Sequence, residues 1–213
     1  MFYFQRFPAL GNAESMCNTT VYECFLQAKS NSFVWDYSLI LSMLEISRQT
    51  HKAPVVQKQQ HNIDNYQEAR KKFTSAEEMV LANEFHNESS KRTLLAPNRF
   101  EITASDCDHF VWWDRDGNEK SSDDRLSCAS ENIFAQFPFG HRFLIFRNPK
   151  VTRSVPNLYH LHVFVKKIMD SKKSKIDFIY EFEDETFEEE CHEIYVKWTS
   201  DYRYSFLFSD YSR

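Results

Sequence analysis

Glycine is nearly missing, with three residues in 213, and proline is sparse, with six. Such a chain is not collagen-like, linker-rich or low in complexity. It also has no dinucleotide-binding or Walker-type glycine loop to cradle phosphates. Long apolar runs are missing as well. No stretch approaches the ~18 residues that mark a membrane span. Positive charge is not in excess: the net charge is −5, so the broad basic footprint of a nucleic-acid binder is absent. Cys17, Cys24, Cys107, Cys128 and Cys191 are dispersed and odd in number, with no close Cys/His ladder for zinc. No metal and no cofactor is expected. The opening MFYFQRFPAL lacks a signal-peptide core and a small-residue cleavage site. A reducing cytoplasm or nucleus is therefore the expected compartment, with no membrane partner.

Aromatic residues are abundant: 20 Phe, 10 Tyr and 4 Trp. They supply bulky core material, and a chain of this length buries roughly 70% of the surface it exposes when extended. One α+β domain is expected, helical in its first half, with an antiparallel or mixed sheet in its second. Residues 1–62 read as an N-terminal helical extension packed on a core of residues 63–213.

In the first half, a helix is expected from Asn18, with Val21, Cys24, Phe25 and Ala28 on one face. A second spans Phe33 to Ser47, capped near Ser30–Ser32, with Val34, Tyr37, Leu41 and Leu44 inward. Arg48 to Asn62 reads as a connector and Ile63 to Phe73 as a polar helix. Thr74 or Ser75, each followed three residues later by glutamate, caps another helix that buries Met79, Ala82 and Phe85. Ser89 to Pro97 reads as a link.

Strands are expected at Asp108–Trp113, Phe143–Phe146, Leu158–Lys166 and Ile176–Glu181. Residues 125–142 read as connecting structure with one short apolar element. Ile176, Phe178 and Tyr180 alternate onto one strand face. A helix through Phe187, Ile194 and Trp198, then a strand at Tyr204–Phe208, would end the chain. Five lysines lie in residues 166–175, and seven acids in 181–190. Both runs read as solvated faces, or as a phosphate-attracting patch and its internal clasp.

Two blocks carry a resemblance. LLAPNRFEITASDCDHFVWW runs from Leu94 to Trp113, and FLIFRNPKVTRSVPNLYHLHVFV from Phe143 to Val165. They resemble a little-characterised, mainly fungal family that includes the N-acetylglucosamine-induced protein 1 group. That family's pattern reads N-R-F-P-Y, then H-x-x-x-W, and later N-P, S-[IV]-P and H-x-H-V-F. Asn98, Arg99 and Phe100 match the first element, but Glu101-Ile102 replaces its Pro-Tyr. His109 and Trp113 match the second, and Asn148-Pro149, Ser154-Val155-Pro156 and His160-Leu161-His162-Val163-Phe164 the last. The likeness spans roughly residues 70 to 200 and implies membership without implying a reaction. His160-Leu161-His162 is also similar to the alternating histidines of histidine-triad hydrolases, but Phe164 stands where a third would be.

On a strand, His160 and His162 share a face. As a pair they can shuttle a proton or bind phosphate. Arg153 and Arg99 can hold an anion, while Asn98, Asn148, Ser154 and His109 can orient it. Each has a plain structural reading too: turn former, loop anchor or satisfied core histidine. Two functions therefore stay open. One is a non-enzymatic interaction or adaptor module with a protein partner. It predicts an exposed aromatic patch and little convergent polar chemistry. The other is a binding protein or hydrolase for a phosphorylated small molecule or nucleotide. Nucleic acid is disfavoured, since it needs Lys166, Lys167, Lys172 and Lys173 on one face with exposed aromatics.

Overall fold

The structure, a computed structural model, describes residues 34–50, 56, 58, 60–86, 90–116, 121–149, 153–169 and 173–182. The expected helix from Asn18, the helix near Ile194 and the strand at Tyr204 lie outside the described residues.

Among the described residues three helices come first: α1 (Tyr37–Thr50), α2 (Gln60–Arg70) and α3 (Ala76–Glu84). Strands β1 (Thr93–Pro97) and β2 (Asp108–Asp114) follow, then α4 (Ser122–Gln136). Strands β3 (His141–Arg147), β4 (Tyr159–Lys167) and β5 (Lys175–Glu181) complete the set. The strands form one sheet in the order β1-β2-β4-β3-β5. All pairs are antiparallel except β3 with β5, so the sheet is mixed and the α+β expectation is met.

Residue alternation divides the sheet into two faces. Trp112, Phe143, Ile145, Leu161 and Val163 pack against Ala129 and Ile133 of α4. On the other face, α1 lays Tyr37, Ile40, Met43 and Leu44 against Leu144, Phe146, Phe164 and Phe178. Beside it, α3 lays Ala76 and Val80 on Val111 and Trp113. The candidate histidines lie on this second face.

Helix α1 starts later than the sequence suggested. Asp36 caps it by accepting from the Leu39 N–H at 2.8 Å. Val34 precedes the helix and is exposed, while Trp35 is fully buried and bridges Ala104. Helix α3 is capped as its sequence implies: Ser75 Oγ accepts from Glu78 N–H at 3.0 Å. Glu78 reaches back to Thr74 N–H at 2.7 Å. Its inward face is Ala76, Met79 and Val80 rather than Ala82, which is exposed.

Three further expectations are corrected. The link at Ser89–Pro97 contains an edge strand, β1. The connecting region 125–142 contains most of a 15-residue helix, capped by Ser121. Ile176 does not share a face with Phe178 and Tyr180. The register with β3 jumps at Phe143/Leu144, leaving Asp177 as the extra residue. Ile176 therefore packs on the α4 side and Phe178 on the α1 side. The bulge also aims Asp177 at Arg142 and at the Tyr37 hydroxyl, which donates to it at 2.9 Å. Before β3, Gly140 sits at φ 69°, a left-handed angle that suits glycine.

Candidate functional site

Register explains why three histidines meet. In the β2–β4 pair, His109 lies opposite Phe164, Val111 opposite His162 and Trp113 opposite His160. All six face the α1–α3 side, so diagonal neighbours touch. The His109 ring stacks on Phe164 with centroids 4.3 Å apart, and its centroid is 5.2 Å from that of His162. His162 stacks on Phe146 at 5.2 Å, and His160 tilts against Trp113 at 4.9 Å. His109, His160 and His162 are 3%, 3% and 8% exposed.

The hydrogen bonds fix the tautomers. Ile102 N–H donates to His109 Nδ1 at 2.9 Å, so the proton of that ring is on Nε2. His109 Nε2 then donates to His162 Nδ1 across 3.0 Å. The proton of His162 is therefore on Nε2, which lies 3.3 Å from the Asn148 carboxamide nitrogen. Two donors would face each other there, so the lower-energy orientation turns the Asn148 side-chain oxygen to His162. Arg153 Nε donates to the Asn148 carbonyl at 2.6 Å and holds that end of the chain of bonds. Asn98 flanks the other end. Its Oδ1 accepts from Phe100 N–H at 3.0 Å, and its Nδ2 lies 3.4 and 3.3 Å from the His109 ring nitrogens.

His160 is different. Its Nδ1–H donates to the Leu158 carbonyl at 2.9 Å, which leaves Nε2 as a bare lone pair. No described residue bonds to that lone pair. His160 and His162 line a cavity of about 40 Å³ beneath α3, together with Lys58, Asn98, Trp113 and Val155. That is room for roughly three waters.

Lys58 is the residue that pattern reading missed. It lies in the segment expected to be a connector, and nothing in VQKQQHN distinguishes it. Its Nζ stands 5.1 Å from the centre of the Tyr66 ring and 5.9 Å from that of Phe100. No carboxylate pairs with it among the described residues. Burial pushes its pKa down to about 8. Burial likewise pushes His160 down to about 4, helped by the charges of Arg147, Arg153 and Lys58. His109 and His162 lie well below the ordinary histidine value, through burial first and then neighbouring charge that includes Lys58. All three rings are neutral at pH 7.

The structure thus brings His109, His160, His162, Asn98, Asn148 and Arg153 together. Ser154 enters through its carbonyl, which accepts from the Tyr66 hydroxyl at 2.9 Å. Arg99 borders the cavity, but Glu84 at 2.5 Å and the Asn83 carbonyl at 2.9 Å hold its guanidinium. Among the described residues, no group of three His, Cys, Asp or Glu side chains is placed to hold a metal ion. No described helix is long and apolar enough to cross a membrane.

The fold and the site define an α+β domain with a small polar cavity on one sheet face. Comparison with known proteins adds little to that. No protein-family model and no curated protein matches the chain. One solved structure, titled "Crystal Structure of HTC1", is similar at 15% identity. It covers 62% of this chain and 85% of its own, with a TM-score of 0.38. A likeness at that level carries no argument about function.

Proposed function

We propose that the cavity is a binding site for a phosphate group, and that the protein binds rather than hydrolyses. The observation that carries this reading is Lys58: a half-buried cation with no carboxylate partner among the described residues, on the wall of a cavity shared with two histidines. An anion supplies the missing countercharge. The small volume admits the anionic group and leaves any larger body outside, well short of the ~300 Å³ of an ordinary ligand pocket. Catalysis has weaker support. A general base works best with a pKa near the working pH, and burial holds His160 down at about 4.

Calorimetric titration with inorganic phosphate, methyl phosphate and sulfate tests the reading. Inorganic phosphate or methyl phosphate should bind at millimolar concentration or better, and Lys58→Met should weaken it at least about tenfold; binding of sulfate alone overturns the reading. If none binds, the reading fails.

A protein contact is the second reading. Phe139 and Met169 are 68% and 90% exposed. They lie on loops joined by the bond from Ile168 N–H to the Gly140 carbonyl at 2.7 Å. Photocrosslinks from position 139 or 169 to a partner support it, and crosslinks confined to other surfaces count against it. The lysine run supports no basic face by itself. Lys166 is bonded to Asp106 at 2.6 Å on the histidine side, while Lys167 alternates to the other side.

A further inference from the structure

The donors and acceptors around the cavity are not those of a site for any anion. Lys58 donates only, and His160 Nε2 accepts only. The His162 Nε2 proton is already directed at Asn148. A ligand filling this space needs oxygens that accept from Lys58 and also one O–H to donate to His160. Resting on the phosphate-group reading, we infer that the site takes a tetrahedral oxyanion that keeps one proton, which makes inorganic hydrogen phosphate its ligand.

The chemistry separates close relatives. Hydrogen phosphate carries one O–H throughout the neutral range. Sulfate has the same shape and charge but no proton, so one of its oxygens would face the His160 lone pair. Two acceptors then oppose each other, and sulfate has no proton to bridge them. A phosphate monoester loses its last proton near pH 6 and meets the same conflict at pH 7.5. A cavity of about 40 Å³ suits one tetrahedral group whose oxygens replace the waters.

The imidazole relay keeps His160 in this role. His109 and His162 are tied to each other and to Asn148, so neither can pass a proton to His160 Nε2 through the bonds present. The Leu158 carbonyl keeps the His160 proton on Nδ1. The other titratable groups around the cavity are Lys58, Tyr66, Glu84 and Arg99; the Tyr66 hydroxyl donates to the Ser154 carbonyl, and Glu84 and Arg99 are paired with each other.

The test is competitive titration at pH 7.5 with inorganic phosphate, sulfate and methyl phosphate, on the wild-type protein and on His160→Phe. Phosphate should bind at least about tenfold tighter than either of the others. His160→Phe should bring phosphate and sulfate to within about threefold of each other, by removing the lone pair. Sulfate or methyl phosphate binding as tightly as phosphate to the wild-type protein would overturn this inference and leave the phosphate-group reading standing. Binding of none of the three overturns both. The wild-type comparison decides the matter even where His160→Phe does not fold.

Discussion

A half-buried lysine with no carboxylate partner among the described residues works against folding. Lys58 keeps its charge at pH 7, because its pKa of about 8 is still above that pH, yet burial opposes the charged form. Such a residue fits a site better than a scaffold. The Lys58→Met variant should therefore lose phosphate affinity and gain stability by roughly 1–2 kcal/mol at pH 7, as read from urea midpoints. A variant less stable than wild type would show that the lysine is structural. The pH signature is specific. Between pH 8 and 10.5 the unfolded chain holds a proton on Lys58 that the folded chain has released. Wild-type stability should rise with pH across that window relative to Lys58→Met. Phosphate affinity should fall above pH 8 as the ammonium is lost.

The cavity depends on the seating of α3, because Val80 and Met79 form part of its wall. Ser75 and Glu78 cap that helix, and replacing Ser75 with alanine should cost about 1 kcal/mol. Thermal melts measure the loss, and calorimetry should show phosphate affinity weakened through a looser wall. What the sequence revealed at this scale follows from how local each signal is. The α3 cap and the shared face of His160 and His162 need only a few neighbouring residues, so both were legible. Helix α4 was not, since SDDRLSCASENIFAQ offers few apolar residues, only Ala129 and Ile133 of which are buried. The edge strand β1 hid because its turn-prone neighbours resemble a link, and it gains its identity from pairing with β2. The bulge at Asp177 depends on β3 and was invisible to alternation along β5. Lys58 was hidden for a similar reason: besides nearby Tyr66, its role comes from Phe100 and the sheet, which are far off in sequence.

For the whole molecule, three neutral imidazoles in one core make stability depend on pH. No carboxylate bonds to any of the three rings among the described residues. Each has its folded pKa below the ordinary value near 6.5, with His160 down at about 4. As pH falls through 6.5, the unfolded chain takes up protons at these sites and the folded chain does not. Stability is then full above that pH and drains away below it. A ring that stays neutral in the folded chain contributes a slope of up to about 1.4 kcal/mol per pH unit below 6.5, and three such rings act in the same direction. A single domain has only about 5–15 kcal/mol in total. Stability should therefore fall as pH drops below 6.5, with excess protons bound on unfolding. Urea midpoints at pH 7.5, 6.5, 5.5 and 4.5 measure the slope, and His160→Phe should reduce it by about a third. A flat profile from pH 6.5 to 5 would mean that the rings accept protons in the folded protein. His160 would then be a donor at that pH, and sulfate would bind there as well as phosphate does.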